Sequence, residues 1–419
     1  MRNFCLKRKN LITICFIFSN VFLILGIGYM EHILPEHVYV NRIEEIENTT
    51  IEHLFEVKCD SGKASVETFE TTSQGPIHLE AKLYLLGAIP VKEVDVVLRD
   101  EECVYAGGEI VGIYGSTTGV FVIDTTSVEA LNGINYSPVE GKIYPGDYIV
   151  AVNGKEVENK KMFVDEVNQS EGAMLDLTIN RLGKIVECSV SPVPIDNKRY
   201  LLGLWIKDDV AGIGTLTYMD EEGNFGAHGH GISDGETGTL LEMEAGNLYE
   251  TKIVGKRKGE VGTPGEIRGV ITYCNETKCG DVSSNAETGI YGKVDTKSEL
   301  YQEIERRGNE EESYYPIAYK QDIKKDTAYM ISSVNGEMNY YEIEILDIDN
   351  NPKDINKGIS FRVTDQRLLE ETGGIIQGMS GSPIIQDGKI VGAVTHVLIN
   401  DPTMGYGRFI ENMLTPLAG

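Results

Sequence analysis

Short runs of alternating apolar and polar residues recur along most of the chain, a pattern that predicts β-strands. Residues 91–96 alternate in this way. An Asn-Gly pair at residues 335–336 and an Asp-Gly pair at 387–388 adjoin such runs and predict tight hairpins. Because long amphipathic helices are not evident, we expect residues 194–419 to form an antiparallel β-barrel or sandwich.

The first apolar segment has a different pattern, because it is long and nearly continuous. Residues 11–30 contain few polar side chains and follow the basic residues Lys7, Arg8 and Lys9. A membrane-spanning helix needs roughly 20 apolar residues, and a basic cluster before it favours export of the chain that follows. We therefore predict that residues 1–30 form a cytoplasmic stub and a membrane anchor, with a cleaved signal peptide as the alternative. The rest of the protein is then extracytoplasmic.

The remaining chain is long enough for more than one hydrophobic core. The whole chain of 419 residues exceeds the size at which a single core usually stops growing, about 250–300 residues, and residues 1–30 are only a small part of it. We predict a spacer, a strand-rich connector and two folded domains, which occupy residues 31–76, 77–103, 104–193 and 194–419, respectively.

The charge and the cysteines exclude some functions. A formal net charge of -27 argues against nucleic acid and anionic lipid as partners, since both would repel the protein. The seven cysteines match neither a zinc ribbon nor a dense disulfide framework. Only Cys274 and Cys279 are close enough in sequence to suggest a bridge, and two unpaired thiols are the alternative.

Residues 145–157 contain a turn, a short apolar run and an Asn-Gly turn into a further strand. This run resembles the Gly-Asp-x-Ile-x-x-Val-Asn-Gly segment of PDZ domains. The resemblance implies that Val111, Gly112 and Ile113 stand at the carboxylate-binding loop and edge strand, where backbone amides capture a peptide terminus. The ligand would be a peptide of another protein or of the protein's own chain. A PDZ fold kept as a spacer with an empty groove is the alternative.

Ser380 lies among small residues immediately before a predicted hairpin, in Gly-Met-Ser-Gly-Ser-Pro. Neighbouring glycines let the backbone turn sharply and let amides point at a developing oxyanion. The run resembles the nucleophile loop of chymotrypsin-like peptidases, which implies an oxyanion hole formed by the amides of Gly378 and Ser380. Ser382 is the competing serine, and a Gly/Ser-rich turn without chemistry is the alternative.

A serine nucleophile needs a base, and histidine is the usual one because its ordinary pKa of roughly 6.5 is near working pH. Four of the seven histidines fall in or near the predicted spacer, which leaves His228, His230 and His396. The residues alone do not decide between His228 and His230. The His-x-His pair also suggests a metal, but no third ligand follows at a hydrolase spacing, so we predict neither metal nor cofactor. His396 either shapes specificity or is structural.

The third group of a serine peptidase is a carboxylate that fixes the histidine tautomer and stabilises the imidazolium. Asp365 ends a strand-like run shortly before the serine and is the candidate. A surface aspartate at a turn is the alternative.

Several segments together resemble the stage IV sporulation protein B peptidase family. They are residues 226–230, 363–369, 378–385 and 392–397, and the closing run at 400–407 extends the resemblance. It implies a mainly β protein in which a PDZ domain precedes a chymotrypsin-like double β-barrel. It also implies a serine endopeptidase with His230 as base, Asp365 as the orienting carboxylate and Ser380 as nucleophile.

Members of this family belong to endospore-forming bacteria. The resemblance therefore implies a protein between the two forespore membranes that processes itself near its N-terminus. Its implied substrate is a membrane-associated regulator whose cleavage activates an intramembrane protease and then a late mother-cell sigma factor. A PDZ-containing membrane regulator that binds peptide termini without cutting them is the alternative from another functional class.

Overall fold

The computed structural model of the protein describes residues 34–42, 49–51, 54–59, 77–310 and 313–414, together with residues 26, 28, 29 and 46. No helix within these residues is long and apolar enough to cross a membrane. Apart from residues 26, 28 and 29, the predicted anchor lies outside the described part of the chain, and it stays a prediction.

The first five strands form a small separate sheet. They are β1 (His37–Val40), β2 (Thr50–Ile51), β3 (Phe55–Cys59), β4 (Ile77–Leu85) and β5 (Ile89–Leu98), in the order β1-β5-β4-β3-β2. β1 pairs with β5 in parallel, and the other neighbours are antiparallel. Val38, Leu83 and Val96 are fully buried in the core of this sheet.

Strands β1, β2 and β3 correct the prediction that residues 31–76 form an irregular spacer. They are only four, two and five residues long, which is too short to give a clear periodicity. β1 and β3 form because β5 and β4, at ten and nine residues, offer long edges with which they can pair, and β2 pairs in turn with β3.

The next elements build a small unit with one helix. They are β6 (Cys103–Ala106), β7 (Ile110–Thr125), β8 (Val128–Glu129), β9 (Asn135–Tyr136), β10 (Tyr148–Val152), β11 (Lys155–Glu156), α1 (Lys160–Gln169), β12 (Leu175–Arg181), β13 (Lys184–Val190), β14 (Val193–Pro194) and β15 (Tyr200–Leu201). Strands β13, β12 and β10 pair in that order next to the second half of β7. The Asn159 side chain caps α1 by accepting a hydrogen bond from the Met162 N–H. The turn before β10, the strand itself and the turn into β11 are as predicted for residues 145–157.

The first β-barrel follows. Its further elements are β16 (Leu204–Met219), β17 (Asn224–Ala227), β18 (Met243–Arg257), β19 (Glu266–Ile271), β20 (Lys278–Ala286), β21 (Gly289–Val294), α2 (Glu299–Glu310) and β22 (Tyr314–Pro316). Hydrogen bonds run around the ring β7-β18-β20-β21-β17-β16, and β16 pairs with β7 to close it. Ile113, Phe225 and Leu248 are fully buried inside.

The last part of the described chain forms the second β-barrel. Its elements are β23 (Thr327–Ser332), β24 (Asn339–Ile348), β25 (Ile359–Val363), α3 (Gln366–Thr372), β26 (Pro383–Gln386), β27 (Lys389–Leu398), β28 (Asp401–Phe409) and α4 (Glu411–Leu414). The ring order is β23-β24-β25-β28-β27-β26. The predicted turn at 387–388 connects β26 with β27 as a hairpin. The mainly β class and the double barrel are thus confirmed.

Strands β7 and β16 correct the predicted boundary at residue 193. Each is 16 residues long and belongs to both units. Residues 110–116 of β7 pair with β16 and β18 inside the first barrel, whereas residues 120–125 pair with β10 or with the start of β16 beside α1. The PDZ-like unit is therefore inserted between two strands of the first barrel rather than preceding it.

Candidate active site

Ser380 lies in the loop between α3 and β26, and this loop is fixed to neighbouring strands by backbone hydrogen bonds. The Gly381 N–H donates to the Val394 carbonyl over 2.7 Å, and the Thr215 N–H donates to the Ser380 carbonyl over 2.9 Å. The Thr215 hydroxyl donates to the carbonyl of Gly378 over 2.8 Å. Thr215 of the first barrel thus holds the serine loop of the second.

The amides of Gly378 and Ser380 are free to bind an oxyanion. Neither N–H has a hydrogen-bond acceptor among the described residues. Gly378 has a φ of +102°, a conformation that favours glycine. Both residues are only partly buried. Unpaired amide donors beside a partly exposed serine are what an oxyanion hole requires.

The Ser380 hydroxyl itself does not point at a histidine. Its Oγ donates to the carbonyl oxygen of Thr395, on β27, over 2.9 Å. The residue after Thr395 is His396, so the hydroxyl and the histidine cluster meet at the same short segment of β27.

Three histidines form a cluster after β17 and on β27. The ring centroids of His228 and His230 are 4.3 Å apart, and those of His230 and His396 are 5.0 Å apart in a stacked arrangement. The cluster adjoins the serine loop, because a Cβ on Gly381 would lie 2.5 Å from the His228 backbone nitrogen. The His228 N–H donates to the Thr215 carbonyl, which also ties the histidine loop to β16.

His230 has the tautomer that a general base needs. Its Nδ1 lies 2.9 Å from the Gly231 carbonyl oxygen. A carbonyl can only accept, so Nδ1 carries the hydrogen in the neutral ring and Nε2 keeps its lone pair. Desolvation, followed by the neighbouring His228, lowers the pKa of His230 to about 3. The pKa values of His228 and His396 are lowered as well, chiefly by desolvation, so the cluster is neutral at neutral pH.

Asp365 bonds to groups other than the histidines. It caps the N-terminus of α3, where its side chain accepts hydrogen bonds from the backbone N–H groups of Arg367 and Leu368. It also forms a 2.7 Å ion pair with Arg367. The Arg367 side chain is the main cause of the lowered pKa of Asp365. None of the hydrogen-bond or ion-pair partners that Asp365 has within the described chain is a histidine.

The sequence can now be set beside known families. Residues 198–414, more than half of the chain, match the model of the family SpoIVB peptidase S55. The chain belongs to the SpoIVB peptidase family. The predicted resemblance is confirmed, and the protein is a serine peptidase.

Two solved structures are similar to parts of this SpoIVB-family peptidase. The PDZ domain of the SdrC-like protein from Listeria monocytogenes is 16% identical, over 21% of this chain and 87% of that one, with a TM-score of 0.17. The HtrA-type protease AlgW with decapeptide is 10% identical, over 75% of this chain and 64% of that one, with a TM-score of 0.30. Both TM-scores are low, so the architecture rests on the strand pairing described above. No curated protein sequence matches the chain significantly.

Two charged residues that the sequence did not single out act on the pKa values of the histidines of the SpoIVB-family peptidase. The carboxylate of Asp354 acts to raise the pKa of His396, against the larger effect of desolvation. Arg408 is fully buried, and two of its nitrogens, Nε and Nη1, have no hydrogen-bond partner among the described residues. Its positive charge acts to lower the pKa of His230. Asn356 joins the two, because its N–H donates to Asp354 and its side-chain oxygen accepts from Arg408.

Neither metal ligands nor a cysteine bridge are evident in the described parts of this peptidase. No group of three His, Cys, Asp or Glu side chains there is arranged to hold a metal ion. Cys274 and Cys279 are free thiols. Burial raises the pKa of Cys279 to about 12, so this thiol is unreactive at neutral pH.

The prediction of a peptide groove at Val111, Gly112 and Ile113 was wrong. These residues pair with β16 on one side and with β18 on the other, so no backbone edge remains for a peptide. A different groove lies between α1 and the first residues of β16. The sequence signal that could have indicated it is Leu201-Leu202-Gly203-Leu204, an apolar loop around a single glycine directly before a strand.

Proposed function

We propose that this SpoIVB-family peptidase is an endopeptidase in which Ser380 is the nucleophile and His230 the general base. The observation that carries the proposal is the pair of unbonded amides of Gly378 and Ser380, in a loop packed directly against the histidine cluster.

Each group then has a defined task. The Ser380 oxygen attacks the carbonyl carbon of the scissile peptide bond, and its proton passes to Nε2 of His230. The amides of Gly378 and Ser380 donate to the oxyanion. When the carbon–nitrogen bond breaks, His230 gives the proton to the leaving amine. Water then attacks the acyl-enzyme carbonyl while His230 takes its proton, and His230 returns this proton to the Ser380 oxygen as the carboxylic acid product leaves.

In this mechanism, the described arrangement of Ser380 and His230 is a resting state. The Ser380 hydroxyl must leave the Thr395 carbonyl and turn to His230. A base with a pKa of about 3 accepts a proton poorly, so a carboxylate must stabilise the imidazolium. We propose that Asp365 does this after exchanging Arg367 for the histidine, as the family resemblance implies. Asp354 is the competing carboxylate.

In the cell, we propose, the protein is anchored by its N-terminal apolar segment in a forespore membrane and faces the space between the two membranes. There it trims itself and cleaves a membrane-associated regulator, which activates an intramembrane protease and the late mother-cell sigma factor. Family membership supports the role in sporulation, and residues 11–30 support the anchor. The bonding of Asp365 to Arg367 and to the helix N-terminus, with no histidine among its partners in the described chain, favours a second candidate, a regulator that binds protein without cutting it.

The test compares the extracytoplasmic chain with its Ser380→Ala and Ser382→Ala variants. Ser382 is the matched control because it lies in the same loop and is fully buried. We expect self-trimming and labelling by a fluorophosphonate probe in the parent and in Ser382→Ala, and neither in Ser380→Ala. Folded parent protein that shows neither on gels and by intact mass would favour the regulator.

A further inference from the structure

A two-stranded extension of the first barrel lies against the serine loop of the second barrel. It consists of residues 251–271, which are the second half of β18, the turn after it and β19, and we call it the ribbon. Ile267 of the ribbon is buried in the hydrophobic core of the second barrel, together with Ile376 and Met379 of the serine loop. An element of one barrel therefore helps to build the catalytic loop of the other.

The ribbon is fixed to the end of α3, shortly before the serine loop begins. Lys256 forms an ion pair with Glu371. The Gly259 N–H donates a hydrogen bond to the Thr372 carbonyl over 2.8 Å. Because these contacts lie at the start of the serine loop, the position of the ribbon is coupled to that of the loop.

The ribbon also holds Gln377, the residue immediately before Gly378. The Gln377 N–H donates to the Gly265 carbonyl over 2.9 Å, and the Ile267 N–H donates to the Gln377 carbonyl over 2.8 Å. The Ile267 side chain lies over Gly378, where an added Cβ would be 3.0 Å from the Ile267 Cδ1 atom. The side chain of Gln377 is exposed, so the ribbon holds this residue through its backbone.

The bond from Ile267 fixes the direction of one proposed oxyanion donor. The Gln377 carbonyl and the Gly378 N–H belong to the same peptide unit. This unit is planar and trans, so its C=O and N–H bonds point in opposite directions. The Ile267 N–H holds the carbonyl toward the ribbon, and the Gly378 N–H is therefore directed away from it. There the N–H has no acceptor among the described residues.

This peptide unit is free to rotate if the bond is lost. Gly378 has a φ of +102°, and glycine adopts positive and negative φ about equally well. Rotation would replace the N–H by a carbonyl oxygen, which repels an oxyanion. The other donor is held within the loop itself, because the Ser382 N–H donates to the Met379 carbonyl of the peptide unit that carries the Ser380 N–H.

We propose that Ile267 is a positioning residue of the peptidase, whose backbone N–H holds the Gly378 amide in the orientation that forms the oxyanion hole. The role in catalysis rests on the proposed peptidase function, whereas the orientation of the amide does not. Displacing the ribbon leaves the nucleophile and the base in place but removes one oxyanion donor. It therefore slows the cleavage step and leaves substrate binding unchanged.

The kinetic test separates the N–H of Ile267 from its side chain. Ile267→Pro removes the N–H and should lower kcat about 10²–10³-fold, the usual effect of losing one oxyanion donor. KM should stay within about threefold, since the lost interaction is made only in the transition state. Ile267→Ala loses a buried side chain and should lower the Tm, but it keeps the N–H and should keep kcat within about tenfold. Equal losses of kcat in the two variants overturn the proposal.

A charge reversal tests the ribbon contact without a proline and replaces Ile267→Pro in both measurements if that variant does not fold. Lys256→Glu sets two carboxylates side by side and should lower kcat about 2–5-fold, the scale of one partly exposed ion pair. Lys256→Glu combined with Glu371→Lys should restore it. Full activity of the single variant, or no recovery in the double variant, would contradict the coupling of the ribbon to the oxyanion hole.

The orientation of the Gly378 amide can be measured without any activity. The chain contains two Gln-Gly pairs, residues 74–75 and 377–378. Glutamine labelled with ¹³C at the carbonyl and glycine labelled with ¹⁵N therefore select two amides in a carbonyl-edited NMR spectrum, and Gly75→Ala identifies the first. The residual dipolar coupling of the Gly378 N–H reports its direction.

We expect this coupling to be the same in the parent and in Ile267→Ala and to differ in Ile267→Pro. The same value in all three proteins overturns the positioning role. A parent protein that does not react with the fluorophosphonate probe would instead refute the peptidase, and the dipolar coupling would still decide whether Ile267 orients the Gly378 amide.

Discussion

The imidazole of His396 stacks on that of His230, with 5.0 Å between the ring centroids and 28° between the ring planes. His396 therefore covers one face of the proposed base and contributes to its desolvation. Because desolvation is the main cause of the lowered pKa of His230, the electrostatic state of the base depends on a residue from the other barrel.

Replacement of His396 should change the titration of His230. In His396→Ala we expect the pKa of His230 to rise from about 3 toward its ordinary value, because water reaches the uncovered ring. His396→Phe should keep it low, since the new ring fills the same place. The measurement is NMR titration of the histidine Cε1 protons, assigned with His230→Gln. A pKa of His230 that is equal in both variants would show that the stack has no such effect.

The orienting carboxylate can be identified by a matched pair of amides. We expect Asp365→Asn to lower kcat/KM about 10²–10⁴-fold, as loss of a triad aspartate does, and Asp354→Asn to lower it less than about tenfold. Both residues cap short helices through backbone N–H groups, and asparagine preserves a cap. Steady-state cleavage of a fluorogenic peptide gives the kcat/KM of each variant relative to that of the parent protein. The reverse order of effects would assign the orienting role to Asp354.

The histidine cluster should make the fold sensitive to acid. The folded pKa of His230 is about 3 and the ordinary value is 6.5. Above about pH 6.5 the ring is neutral in both states, and as pH falls from there toward 3 only the unfolded state takes up the proton. The free energy of unfolding therefore falls across that window. Urea denaturation at pH 7.0, 5.5 and 4.5 should show a smaller loss in His230→Gln, and equal losses in both proteins would contradict the lowered pKa.

Gly381 is expected to tolerate no side chain. Its φ is +96°, and a Cβ would lie 2.1 Å from the Thr215 carbonyl oxygen and 2.5 Å from the His228 nitrogen. Gly381→Ala should abolish activity and destabilise the protein by more than about 2 kcal/mol. Gly388→Ala is the control, because its φ of +74° is similar but nothing lies within 4 Å. Gly388→Ala should lower the free energy of unfolding by about 1 kcal/mol and should retain activity. A similar Tm for both variants would argue against the contact.

The sequence predicted features that depend on local pattern. Three features need only neighbouring residues to be recognised: the small residues around Ser380, the Asp-Gly turn of the β26–β27 hairpin and the turns that flank β10. It did not predict the sharing of β7 and β16, because alternation in a strand does not show which neighbour each half pairs with. The sequence also did not predict the position of Asp354. It depends on a tertiary contact, in which the Thr395 hydroxyl donates to the Asn356 carbonyl across 39 residues.

The insertion of the PDZ-like unit between β7 and β16 limits what a deletion can show. Removing residues 104–193 takes away β7, one of the six strands of the first barrel. An inactive product would therefore say nothing about the role of the PDZ-like unit. A deletion of the PDZ-like unit alone would instead use the antiparallel pairing of β7 with β16, in which Ser116 is opposite Asp209. Joining these strands by a tight turn near that pair would leave the barrel closed. Only such a protein could show what the peptidase does without the inserted PDZ-like unit.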